Sequence, residues 1–158
     1  MDTLHLDHLG PFVTSVKKNA YLIIAVDGFT KFVFMKAVSN TKTAPVINFL
    51  NGIVEMFGVP RRIVCDRGTA FTSKIFTEYC TKYNIKRVLC ATSTPRANGQ
   101  VERMNRSILS ALMASTDDER RWDEEVSRVK WVINTTINST TEKSPYEVFF
   151  WISSPRYG

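Results

Sequence analysis

No window of eighteen uninterrupted apolar residues occurs in this 158-residue chain, so nothing in it reads as a membrane-spanning helix. The opening MDTLHLDHLG has neither a charged n-region nor an apolar h-region, and a secretory leader is therefore not expected. Cysteine is scarce. Cys65, Cys80 and Cys90 are an odd count without a C-x-x-C pair, each within an apolar run, and read as buried reduced thiols. His5 and His8 have no metal-ligand spacing with any of them, which argues against zinc. Internal repeats and low-complexity tracts are also missing. Together these absences predict an intracellular protein with no membrane partner.

What is present is enough apolar material, 44% of residues, for one well-packed domain over residues 1–158. The net charge of +6 is unevenly placed. Residues 60–106 hold ten Lys or Arg against three acids, and the remainder holds eleven against twelve. Cations concentrated in one segment point to a polyanionic partner approaching that surface.

Along the chain, Leu4 to Asp7 alternate as a strand ended by Gly10-Pro11, with His5 and Asp7 on one face. Tyr21 to Val26 and Lys31 to Val38 read as two strands of a hairpin with Asp27-Gly28 in its turn. Strands are also expected at Arg62 to Cys65 and Lys86 to Ala91. Between them, a helix capped near Thr43 carries the stripe Ala44, Ile47, Leu50, Val54 and Phe57; another turns Ile75, Phe76, Tyr79 and Tyr83 inward. A helix from about 99 to 115 has the seam Val101, Met104, Ile108 and Leu112, and a further one is marked by Trp122, Val126, Val129, Ile133 and Ile137. Ser144-Pro145-Tyr146-Glu147 is a capping box opening a last helix. The fold class is α/β, a mixed sheet covered by helices. Asn105, Asn134 and Asn138 open N-x-S/T triplets, which carry no weight without a secretory leader.

The stretch that organises the rest is PRRIVCDRGTAFTSKIFTEYCTKYNIKRVLCATSTPRANGQVERMNR. The apolar run Ile63, Val64 and Cys65 stops at Asp66, which places a carboxylate at the carboxyl end of a strand, where α/β folds put their sites. Thirty-five residues separate it from Glu102, which follows the turn signal Asn98-Gly99 and sits in the first turn of a helix. Singly, the Asp is a turn residue and the Glu answers the helix dipole. In combination, CDRGTAFTS and TPRANGQVERMNR at this spacing resemble the catalytic core of retroviral-type integrases, most closely those of Gypsy-class long-terminal-repeat retrotransposons. The similarity runs on through HLDHLGPF, AVDGFTKF and VINTTINSTTEKSPYEVFF, while Trp151 stands where such proteins often carry Gly.

The resemblance implies a ribonuclease H-like fold, a mixed five-stranded sheet flanked by helices, and an excised core without the amino-terminal zinc module or the carboxy-terminal barrel. It makes Asp7, Asp66 and Glu102 the catalytic and metal-binding acids, with Asp27 a hairpin residue. It also implies two Mg²⁺ or Mn²⁺ ions; such ions, roughly 3.5 to 4 Å apart, serve the attacking and leaving oxygens of a phosphodiester displacement. Oxygen-only ligands suit so hard a cation. The implied activity is 3′-end processing of retroelement DNA and its strand transfer into target DNA. The alternatives are a nuclease of the same fold, or a host-domesticated domain that binds DNA or protein without catalysis. Arg67, Arg96, Arg103 and Arg106 are the phosphate contacts expected on double-stranded DNA, and Asn98 and Gln100, with Gly99 in a mobile loop over the site, are further DNA-binding residues. A homodimer or higher oligomer, action in the nucleus and a chromatin tether of unspecified kind complete the expectation.

Overall fold

The computed structural model describes residues 1–90, 95–139 and 141–153, with side chains over 1–90, 101–139 and 141–151. The order is β1 (Thr3–Leu9), β2 (Tyr21–Asp27), β3 (Val33–Val38), α1 (Thr43–Phe57), β4 (Arg62–Cys65), α2 (Thr69–Thr72), α3 (Lys74–Lys82) and β5 (Lys86–Leu89). There follow α4 (Pro95–Ser115), an irregular 3₁₀ stretch Glu119–Glu125, α5 (Val126–Thr135) and α6 (Pro145–Ser153). The strands form one five-stranded sheet ordered β3-β2-β1-β4-β5. β1 is antiparallel to β2, and β2 to β3, whereas β1-β4 and β4-β5 are parallel.

β2 reads as an unbroken apolar run because both of its faces are covered. Ile23 and Ala25 join Leu4, Leu6, Ile63 and Cys65 beneath α1 and α3. Leu22, Ile24 and Val26 face Ile108 and Leu112 of α4 and Val126 and Val129 of α5. The pleat thus commits Leu4 and Leu6 to the α1 layer and turns His5 and Asp7 toward α4. Among the described residues no helix is long and apolar enough to cross a membrane. The capping box forms as expected: Ser144 N–H donates to Glu147 Oε2 at 2.8 Å and Glu147 N–H returns a bond to Ser144 Oγ at 3.2 Å.

Several helical details differ from the sequence reading. α1 buries Val46, Phe49, Leu50 and Ile53, whereas Ala44 is exposed. A helix with apolar residues at so many positions has no single stripe until the sheet selects one. Its cap is Lys42, and the Thr43 hydroxyl instead donates to Ala70 O at 3.0 Å, tying α1 to α2. In α3 the buried side is Phe76, Tyr79 and Cys80, which leaves Ile75 61% exposed. Ile137 lies beyond the end of α5 and is 68% exposed. Trp122 belongs to the 3₁₀ stretch, where Asp123 and Trp122 together hold the loop after β1: Asp123 Oδ2 accepts from Ser15 Oγ and Asn19 Nδ2 at 2.6 and 2.8 Å.

The edge strand β3 is finished by a side chain. Asn134 of α5, 3% exposed, accepts from Val33 N–H through Oδ1 and donates from Nδ2 to Val33 O, both at 2.8 Å. It supplies the donor and acceptor a further strand would have offered. Asn134→Leu strands both backbone groups and is expected to cost about 2 to 5 kcal/mol, read as a lower urea midpoint at unchanged m-value.

Candidate active site

The parallel register Leu4↔Ile63 and His5↔Val64, continued two residues, sets Asp7 alongside Asp66. Both strands turn the same face toward α4 at that point, and the two carboxylates line one cavity of about 110 Å³ with His5, Leu6, Val64, Cys65, Cys90 and Val101. At roughly 30 Å³ per water in bulk liquid, this space suits ions and a few waters, and not a nucleotide.

Each carboxylate is oriented by donors. Asp7 Oδ1 accepts from His8 N–H at 2.8 Å and Oδ2 from Asn105 Nδ2 at 2.8 Å. Asp66 Oδ1 accepts from Gly68 N–H at 2.7 Å, an Asx-type turn that closes the strand end. A Cβ at Gly68 would stand 2.9 Å from that same oxygen and so would shift the Asp66 carboxylate. Burial raises the proton affinity of Asp7 above the ordinary carboxylate range, against its two hydrogen bonds, and the negative charge of Asp66 adds to the rise. Burial also lowers that of His5, assisted by the Lys31 charge, and that of His8, so both imidazoles are held toward neutrality. Burial, then Asp66, pushes the Cys65 thiol up to about 12. The charged groups around the cavity are therefore oxygen acids, which fits a hard divalent cation better than a soft one.

Glu102 is exposed on α4, one residue beyond Val101. It is not among the residues lining the aspartate cavity, and among the described residues no three His, Cys, Asp or Glu side chains form a group that could hold a metal ion. α4 also begins earlier than expected. Pro95 opens it, so residues 98–100 are helical backbone rather than a loop, and Glu102 lies beyond the first turn. The proline is at ease in a first turn, and the cost of Gly99, about 1 kcal/mol, is small beside burial of Ile108 and Leu112 at about 1.5 to 3 kcal/mol each. The side-chain roles expected of Arg96, Asn98 and Gln100 lie outside the described residues.

Arg67, Arg103 and Arg106 are all exposed, and among the described residues none of them forms an ion pair. Asp27 is spent on its turn, where Oδ2 accepts from Thr30 N–H and Oγ1 at 2.8 and 2.7 Å. Cys65 and Cys80 are buried and free, and Cys90 is half-buried. Asn105 was noticed in the sequence only as the start of a glycosylation triplet. Its spacing of three from Glu102 puts the two on one side of α4, a signal that could have marked it as part of the site. Its Oδ1 is buried with no hydrogen-bond partner among the described residues, as is His8 Nε2.

Comparison with known proteins follows the same outline. A family model described as the integrase core domain matches residues 1–95. The chain is 27% identical to the Pro-Pol polyprotein of feline foamy virus over 96% of its own length and 13% of that protein. It is 27% identical to the human Gypsy retrotransposon integrase-like protein 1 over 92% of its length and 28% of the relative. It thus spans only a small part of the curated relatives it matches. Among solved structures, the HTLV-2 integrase catalytic core domain in complex with magnesium superposes with a TM-score of 0.76 at 23% identity, covering 93% of this chain and 95% of that one. A simian T-cell lymphotropic virus intasome, in complex with the PP2A regulatory subunit B56γ, gives 0.82 at 22% identity, over 99% of this chain and 56% of that one. The sheet order and helical layers are those of retroviral integrase cores, which are ribonuclease H-like, and this chain belongs to the integrase core domain family.

Proposed function

We propose that this chain is the catalytic core of a polynucleotidyl transferase that trims the 3′ ends of retroelement DNA and joins them to target DNA. The observation that carries the reading is the pairing of Asp7 and Asp66 on adjoining parallel strands, beneath a helix that also presents Glu102, Asn105, Arg103 and Arg106. Asp7 and Asp66 would hold Mg²⁺ or Mn²⁺, with Glu102 as the third acid that the resemblance implies. When bound, two such ions supply an activated oxygen nucleophile and stabilise the leaving alkoxide.

The chain's own residues do the rest. Asn105 Nδ2 and His8 N–H fix the rotamer of Asp7, and Gly68 N–H fixes that of Asp66, so both acids are aimed before any ligand arrives. The half-buried Asp7 carboxylate, repelled by the charge of Asp66, favours a divalent partner over solvent. Arg67, Arg103 and Arg106, without competing acids, offer charge to the phosphates on either side of the scissile bond. The HTLV-2 core is described in both dimeric and trimeric forms with magnesium, which supports a homodimer or higher assembly here. Its place of action would be the nucleus, where target DNA lies.

A second reading, a domain that binds DNA or protein without catalysis, is favoured by one observation: among the described residues no three His, Cys, Asp or Glu side chains form a group that could hold a metal ion. A branched DNA with element and target strands already joined separates the two. Mg²⁺- or Mn²⁺-dependent resolution of that substrate is expected, and Glu102→Gln is expected to reduce it by on the order of 10³-fold, the size of several kcal/mol of lost transition-state stabilisation. Activity surviving Glu102→Gln removes Glu102 from the site; absence of resolution by the unaltered chain supports the binding domain.

A further inference from the structure

α2 is a single turn, Thr69–Thr72, that nothing in its own sequence holds helical. Isolated helices shorter than about 12 to 15 residues are marginal in water, and this one has Gly68 at its amino end with no side-chain cap and no acid in its first turn. Its position matters all the same, because it fixes Gly68. The Gly68 carbonyl accepts from Phe71 N–H at 3.0 Å and from Thr72 N–H and Oγ1, both at 3.2 Å, while Gly68 N–H is the donor that aims Asp66. Whatever holds α2 therefore also holds one of the two aspartates.

Burial of Ala70 and Phe71 supplies the packing, and the polar anchors come from outside the helix. Thr43 of α1 donates to Ala70 O, and Arg87 of β5 donates from Nη1 to Phe71 O at 2.9 Å. The same nitrogen reaches Thr77 Oγ1 of α3 at 2.8 Å, so one guanidinium ties the edge strand to both α2 and α3. Among the described residues Arg87 forms no ion pair. A charged donor on a carbonyl makes a stronger bond than a neutral one, and it polarises the Phe71–Thr72 peptide, whose N–H then binds Gly68 O more firmly. Arg67, Arg103 and Arg106 stand exposed, whereas this half-buried cation of the basic segment is directed inward.

We propose that Arg87 is a positioning residue for Asp66, acting through Phe71 O, α2 and Gly68 rather than on DNA. The inference rests on the reading of Asp7 and Asp66 as a metal-binding pair and adds to it a support on a neighbouring strand. Without the guanidinium, Phe71 O loses its charged donor, the one-turn helix loosens, and the Asp66 carboxylate is no longer held to Gly68 N–H. Groups that orient a metal ligand from behind typically carry about 10 to 100-fold in metal affinity or activity.

The test measures Mn²⁺ binding to the full chain by titration calorimetry without DNA, beside steady-state resolution of the branched DNA. Arg87→Met keeps the stem and removes every donor. It is expected to weaken Mn²⁺ about tenfold and to lower kcat by a similar factor, with KM for DNA and its salt slope unchanged. Arg87→Lys keeps a charged donor and recovers most of both losses. Arg87→Gln keeps a neutral one, falls between, and replaces Arg87→Met if circular dichroism shows that variant unfolded. Thr77→Val removes only the acceptor on α3 and leaves Mn²⁺ affinity as it was. No Mn²⁺ binding by the unaltered chain, affinity unmoved by loss of the guanidinium, a raised KM with a shallower salt slope, or an equal loss in Thr77→Val overturns the proposal. Branched-DNA resolution by the unaltered chain reports on the transferase separately. Weakened Mn²⁺ in Arg87→Met without any resolution keeps this support and rejects the transferase, and resolution with Mn²⁺ affinity unmoved does the reverse.

Discussion

Replacing Asp7 with Asn is expected to abolish divalent-metal-dependent resolution of branched DNA while making the metal-free domain more stable at neutral pH. The first effect follows from removing an acid that both oxygen-binding and orientation converge on; several kcal/mol of transition-state charge stabilisation is a rate loss on the order of 10³-fold or more. The second follows from burial. Asp7 has its proton affinity raised in the folded chain, first by desolvation and then by Asp66, so the native state binds the extra proton more readily than the unfolded chain. Stability therefore falls as pH rises from the ordinary carboxylate value of 3.8 through the raised folded value.

An amide carries no such penalty. It also keeps both hydrogen bonds, because its oxygen still accepts from His8 N–H, while its NH₂ meets an Asn105 side chain whose Oδ1 has no partner among the described residues and can turn to accept. Thermal unfolding with and without Mg²⁺ measures both expectations. The unaltered chain gains stability with metal, by about 2.7 kcal/mol at a hundred times the dissociation constant. Asp7→Asn starts higher in melting temperature and gains little.

Trp122→Ala has the largest expected effect on folding, about 3 to 5 kcal/mol, out of the 5 to 15 kcal/mol that holds a typical domain together. Trp122 is 1% exposed, rests against the Phe12 ring at a centroid distance of 4.5 Å, and donates from Nε1 to Val13 O at 2.8 Å. It fills the layer between β2 and α4 and also pins the loop that leaves β1 after the Asp7 strand. Truncation opens a cavity and strands a carbonyl. Trp122→Phe is expected to recover most of the packing and none of the hydrogen bond, so the difference between the two urea midpoints isolates the Nε1 contact.

Much of the architecture was legible in linear order. Period-two alternation at Leu4 to Asp7, the apolar runs at Tyr21 and Ile63, and the Ser144 to Glu147 box all became the elements they suggested, because each is a short-range signal that neighbouring residues satisfy by themselves. Which side of an element is buried was less legible. Ala44 and Ile75 were expected inside and lie outside, since a helix rich in apolar residues offers more than one face and the partner layer selects among them. The Asn98-Gly99 turn signal lost to the length of α4, whose buried seam outweighs one glycine.

Composition and periodicity pointed to an α/β chain with cations gathered around Asp66, and the motifs' resemblance to integrase cores named Asp7, Asp66 and Glu102 as its candidate acids. Folding decided which of these acids meet. A parallel register between strands more than fifty residues apart sets Asp7 against Asp66, whereas Glu102 rides on a helix whose position depends on packing against β2 and α5. Folding also revealed Asn105 as the support of Asp7, and set Arg87 of β5 against α2. The reason is physical: side-chain identity and local period are written along the polymer, but the distance between two charges is a property of how layers pack.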